Sequence, residues 1–192
     1  MQTSYQHTTT ILEIKQSKFI AHLMPFCDFK TVLSDLKEEH PKARHFVTAF
    51  RYLNEHDQIV EGSSDDGEPK GTSGKPSLAV LAGQECINVG VIIVRYFGGT
   101  KLGTGGLVRA YGDAVNLVLS EGVFEPYVKE FVYEYEVLYT NVSRIEYLLT
   151  QSHLKTSDKV FQTTSVLFRV VGALENFEQF DNETQRITKK IE

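Results

Sequence analysis

The segment from Asn88 to Phe97, NVGVIIVRYF, is apolar at consecutive positions and predicts a strand covered on both faces inside a sheet. The next stretch, GGLVRAYGDAVNLVLSEG, changes period. Leu107, Ala110, Tyr111, Ala114 and Val118 recur at helical spacing, which predicts a long helix with one apolar side and Gly122 just past its end. Upstream, TTILEIKQSKFIAHLMPF reads as one or two strands. DFKTVLSDLKEEHP reads as a helix with Asp28 as its N-cap, Phe29, Val32, Leu33 and Leu36 on one face, and Pro41 as its stop. HFVTAFRYL and QIVEG predict two strands, joined as a hairpin through Asn54 to Asp57. PSLAVLAG predicts a short helix with Pro76 in its first turn, where a missing N–H costs nothing.

Towards the C-terminus, Phe131, Tyr133, Tyr135, Val137 and Tyr139 alternate with more polar neighbours, as in a half-buried strand. NVSRIEYLLTQSH follows as a helix with Val142, Ile145, Leu148 and Leu149 on one face, and Ser143 and Glu146 stand at capping-box spacing. KVFQTTSVLFRVV predicts a hairpin and LENFEQFDNE a short helix. The order strand, helix, strand, strand, helix suits a two-layer sandwich of the ferredoxin-like kind, with QRITKKIE left unassigned.

Composition divides the chain at the same place. Thirteen of its 14 glycines lie between Gly62 and Gly122, so the expected boundary is the connector Glu121 to Pro126, giving domains 1–122 and 123–192. With 192 residues, 41% of them hydrophobic and 23% charged, the chain has the composition of a folded protein with a sizeable core. The formal net charge of −5 argues against general affinity for nucleic acid, yet it is unevenly spread. From Lys70 to Arg109 there are five basic residues (Lys70, Lys75, Arg95, Lys101, Arg109) and one acid, Glu85, a local +4 within a chain that is otherwise −9. No apolar run reaches membrane-spanning length, and the N-terminus has neither a cationic start nor an apolar stretch, so a cytoplasmic protein without a membrane partner is expected. Cys27 and Cys86 form no Cys-x-x-Cys pair and are expected to be buried thiols.

The chemistry-bearing motifs lie in two glycine-rich loops. In RYFGGTKLGTGGLVRAYG, six of 18 residues are glycine, which permits positive φ and removes side chains that would hold a partner away from the backbone. The helix that follows offers free N–H groups to an anion, with Lys101 and Arg109 close by, although tight packing of loop on sheet would also use glycines. The earlier loop, SSDDGEPKGTSGKPS, resembles a phosphate-binding P-loop only superficially. Pro69 occupies the place of its first glycine and Pro76 that of its magnesium-holding hydroxyl. The Gly-x-Gly-x-x-Gly dinucleotide fingerprint and the Gly-x-Ser-x-Gly nucleophile are both absent. Asp65, Asp66 and Glu68 read as a solvated turn rather than a cation site, and the six histidines are scattered. No catalytic constellation, cofactor or metal site is therefore predicted.

The blocks SDDGEPKGTSGKP and VIIVRYFGGTKLGTGGLVRAYG, with KQSKFIA near the start and HPKARHF after the first helix, resemble the signature of the IMPACT family, and the layout is similar to its bacterial YigZ-type branch. The resemblance implies an α+β protein of two domains. The first would be similar to the second domain of ribosomal protein S5 and domain IV of elongation factor G, and the second, ferredoxin-like, to domain V of that factor. It also implies a role in regulating translation, through RNA or the ribosome or through a translation-related protein partner. The candidate nucleic-acid-binding residues are Lys75, Arg95, Lys101 and Arg109 with Gly98, Gly99, Gly103, Gly105 and Gly106. Tyr96, Phe97 and Tyr111 would be available for stacking where exposed, Phe97 being read as a core residue. Two alternatives remain open: a protein-binding regulator, and a phosphate-binding enzyme related to small-molecule kinases that share the fold.

Overall fold

The computed structural model describes residues 1–191 and shows a mixed α/β chain of two compact units that divide between Tyr127 and Val128. The first unit runs β1 (Gln2–Thr3), β2 (Thr8–Ile14), β3 (Ser17–Pro25), α1 (Phe29–Glu39), β4 (His45–Leu53), β5 (Ile59–Ser64), α2 (Gly74–Gly83), β6 (Val89–Tyr96), α3 (Thr104–Glu121) and β7 (Glu125–Pro126). β7 pairs with β1, so the connector belongs to this unit and the division falls later than residue 122.

Strands β2-β3-β6-β4-β5 form one sheet with antiparallel neighbours throughout. β6 is its centre, as its uninterrupted apolar run predicts, and Val91, Ile92, Ile93 and Val94 are fully buried. Alternation sends Val89, Val91 and Ile93 to the face covered by α2 and α3, and Ile92 and Val94 to the face covered by α1. Burying each such side chain contributes about 1.5–3 kcal/mol.

The helix α3 turns Leu107, Ala110, Tyr111, Ala114 and Val118 onto the sheet as its spacing predicts. Gly122 stands just past its end, as expected, in an extended conformation with φ −74°. Asp28 makes no side-chain bond to the start of α1; its carboxylate is taken instead by His7 Nε2 at 2.8 Å. Cys86 is buried, which pushes its thiol up to about 11, whereas Cys27 is exposed, contrary to expectation, in the short turn Phe26–Asp28 where only part of the chain packs inward.

The second unit runs β8 (Glu130–Leu138), α4 (Val142–Gln151), β9 (Lys155–Phe161), β10 (Ser165–Ala173), α5 (Leu174–Thr184) and β11 (Thr188–Ile191). Its antiparallel sheet has the order β11-β8-β10-β9, with Ile145 and Leu149 of α4 and Phe177 and Phe180 of α5 buried against Tyr135, Val137 and Phe168. The terminal segment supplies the fourth strand by pairing antiparallel with β8 from Thr188 to Ile191, and Lys190 adds side-chain contacts to it. Its ammonium lies 3.6 Å from the Tyr133 ring centroid and 2.8 Å from Asp181 Oδ2 on α5. The expected capping box does not form. Ser143 lies inside α4, whose N-cap is Asn141, and Glu146 accepts from Lys159 Nζ. Among the described residues no helix is long and apolar enough to cross a membrane.

Candidate functional site

The loop between β5 and α2 is organised by a carboxylate. Asp65 Oδ1 accepts from the backbone N–H of Ser73 (3.1 Å) and Gly74 (2.8 Å) and from Ser73 Oγ (2.7 Å), while Oδ2 accepts from Gly71 N–H at 2.7 Å. Partial burial would raise its pKa, but these bonds outweigh that and hold it near 2, well below the usual carboxylate range. The free N–H groups at the start of α2 are thus engaged by an internal anion. Asp66 Oδ2 accepts from Phe46 N–H at 2.6 Å, and its backbone carbonyl accepts from His45 Nδ1 at 2.8 Å. Glu68 is buried. Asp65 and Glu68 are therefore internal scaffold of the loop, folded onto by their donors, whereas Asp66 and Gly67 form the exposed turn that the Asp-Gly pair predicts. Among the described residues no group of three or more His, Cys, Asp or Glu is placed to hold a metal ion.

Glu68 ties this loop to the second glycine-rich segment. Its Oε1 accepts from Arg95 Nη1 on β6 and from Tyr111 OH on α3, the latter at 2.9 Å. Arg95 is 6% exposed, and its guanidinium lies 5.4 Å from the Phe19 ring centroid and 5.8 Å from that of Phe97. Burial, with Glu68 next to it, raises the pKa of the Tyr111 hydroxyl, so it stays protonated and donates. A buried ion pair stabilises little by itself, but removing one partner strands a charge in a dry site. Arg95 is consequently occupied within the protein, and Tyr111, fully buried, offers no surface for stacking.

The loop from Phe97 to Gly103 joins β6 to α3, and its glycines play different parts. A Cβ on Gly98 would lie 1.9 Å from the backbone carbon of Gln16, so this glycine is required for close approach to the β2–β3 turn. Gly98 N–H also donates to Ser17 Oγ at 3.1 Å. That turn is itself tight, with Lys15 and Gln16 at φ 46° and 66°. Gly99 and Gly103 adopt φ +86° and +73°, and a Cβ on either, or on Gly105, would meet nothing within 4 Å. Gly106 has Leu102 Cβ at 3.1 Å from such a position. No side chain caps the start of α3. One glycine is thus sealed against backbone while the first turn of α3 stays open.

Both α2 and α3 begin at the end of the sheet where β6 finishes, since Asp65 holds the start of α2 and Glu68 reaches from that loop to Arg95 and Tyr111. Lys75 lies in the first turn of α2, Lys101 in the open loop, and Arg109 on α3 with Nε donating to the Gly105 carbonyl at 3.3 Å. All three are exposed, and no carboxylate pairs with them among the described residues. The register adds a group not found by inspection of the sequence. His45 pairs with Arg95, which brings Lys42 and Arg44 to the same end. A cleft of about 360 Å³ there is lined by Lys42, Arg44, His45, Arg95, Tyr96 and Phe97. Phe97 is 56% exposed rather than a core residue, because β6 ends at Tyr96 and the chain leaves the sheet. Tyr96 is partly buried, with its hydroxyl 3.0 Å from His40 Nδ1.

Four separate stretches therefore meet at this end: the KQSK turn, HPKARHF, the Asp65 loop and the Gly98–Gly106 segment. Residues 15–119 match the Impact N-terminal domain. The chain is 39% identical over 165 residues to the IMPACT family member YigZ of Escherichia coli (strain K12), covering 84% of this chain and 80% of that one. It is 35% identical over 175 residues to an IMPACT family member of Haemophilus influenzae, covering 89% and 84% respectively. A crystal structure described as that of a hypothetical protein is 33% identical, with a TM-score of 0.71 and coverage of 99% of this chain and 95% of the other. The converging motifs, the domain match and relatives that align across most of both chains make this chain a member of the IMPACT family.

Proposed function

We propose that the chain is a cytoplasmic, noncatalytic RNA-binding protein that regulates translation, contacting RNA, free or in the ribosome, with the end of its first unit where α2 and α3 begin. The observation that carries this reading is the group of exposed, unpaired cations, Lys75, Lys101 and Arg109, around an uncapped helix start with bare glycine backbone. Exposed cations suit phosphates, and main-chain N–H groups suit the phosphate oxygens. Gly99, Gly103 and Gly105 permit the backbone to approach, Gly106 lines the same turn, and Gly98 anchors the loop beneath. Arg95 enters as a support: held by Glu68, it positions the loop and makes no phosphate contact.

The order of elements in the second unit, with its antiparallel four-stranded sheet, supports a ferredoxin-like assignment. The five-stranded sheet with helices on both faces supports an S5-like first domain. Binding of a fluorescent single-stranded RNA by the wild type and by Lys101→Ala combined with Arg109→Ala tests the reading. The double variant should bind at least tenfold more weakly with the fold unchanged by circular dichroism; equal affinities refute it.

A further inference from the structure

The cleft beside Phe97 combines features that the phosphate contacts leave unexplained. Phe97 is exposed and lines a basic cleft, so a π face stands beside cations, the combination with which proteins hold single-stranded nucleic acid. Here the ring is also held in place. The Arg95 guanidinium lies 5.8 Å from its centroid and is fixed from below by Glu68 and Phe19. Arg95 itself is one of the residues that line this cleft. Lys42 and Arg44 line the same cleft, exposed and free of carboxylates among the described residues. At about 360 Å³ the cleft falls in the range of small-ligand sites, large enough for one nucleotide.

We propose that this cleft holds a single unstacked base of single-stranded RNA, stacked on the Phe97 ring, with Lys42 and Arg44 on the adjoining phosphates. The proposal rests on the RNA reading above and extends it from phosphate binding to selection of unpaired nucleotides. A duplex keeps its bases stacked on one another and has none to offer the ring, so duplex RNA is discriminated against. The other two aromatic candidates are unavailable. Tyr111 is buried, and Tyr96 packs edge-on to His40 with ring centroids 5.9 Å apart. Stacking on one aromatic ring tolerates any base, so the cleft selects for single strands more than for sequence.

The test uses the full chain and two oligomers with the same number of phosphates, a 12-mer of uridine and its abasic counterpart. Phe97→Leu keeps an apolar side chain without a π face and, being exposed, leaves the fold intact. It should weaken binding of the uridine oligomer about tenfold and leave the abasic one unchanged, and Phe97→Trp should restore the difference. If Phe97→Leu binds both oligomers as the wild type does, while the Lys101 and Arg109 double variant loses affinity, the base platform is wrong and the phosphate reading stands. If the wild type binds neither oligomer, both fall.

Discussion

Replacing Asp65 with asparagine keeps the size of the side chain and removes the charge that organises the loop before α2. The carboxylate accepts four hydrogen bonds from Gly71, Ser73 and Gly74, and an amide cannot accept them all. Its oxygen can serve the Ser73 and Gly74 donors, which leaves an NH₂ group facing the Gly71 N–H, donor against donor. The folded pKa near 2 against the ordinary 3.8 sets an upper bound of about 2.5 kcal/mol on what ionisation contributes. Because the group is only partly buried, water screens the interaction and the realistic figure is about 1–2 kcal/mol. The folded value lies below the unfolded one. The contribution is therefore complete above about pH 5 and is lost as pH falls through 3.8 towards 2. Urea denaturation of Asp65→Asn should show a loss of about 2 kcal/mol at pH 7, and the charge-dependent part should shrink by about half at pH 3. A variant as stable as the wild type at pH 7, or a deficit that does not change between pH 6 and pH 3, would refute the reasoning.

The two ends of the glycine loop should answer alanine in opposite ways. Gly98→Ala must push a Cβ into the Gln16 backbone and should cost more than about 3 kcal/mol, measured by thermal or urea unfolding. Gly105→Ala, in open space within α3, should stabilise by about 0.5–1 kcal/mol yet weaken RNA binding, because a methyl group then stands where backbone meets phosphate. Glu68→Gln leaves Arg95 buried without a counter-charge and should destabilise by about 3–5 kcal/mol in the same assay. In a thiol-reagent titration of the native protein, Cys27 should react at once and Cys86 only on unfolding, since the second is buried and its thiol is pushed up to about 11.

How much of this was legible from the residues depends on the distance over which each feature is decided. The unbroken apolar run of β6 and the five inward positions of α3 are local patterns, and the structure follows them. The role of Asp65 is not local in that sense. A carboxylate in an Asp-Gly turn looks solvated until Gly71, Ser73 and Gly74 are folded back onto it. Arg95 counted as a free cation because its partner lies 27 positions earlier, in a loop whose path no periodicity specifies. Glycines at 98 and 99 are equivalent in sequence, yet only the β2–β3 turn distinguishes the sealed one from the open one. Lys42 and Arg44 were within a quoted motif but gained significance only from the pairing of β4 with β6. Phe97 resembled a continuation of the strand and proved to be the first residue beyond it.

The salt dependence of single-stranded RNA binding tests most directly whether phosphates are read by the cations gathered at this end. Titrations from about 50 to 300 mM monovalent salt should give a log–log slope between about −2 and −3.5, as expected for three phosphate contacts by Lys75, Lys101 and Arg109 or five with Lys42 and Arg44 on a single strand, and a slope about 0.7 shallower for Lys101→Ala alone. A slope near zero, or one unchanged by removing Lys101, would contradict the account.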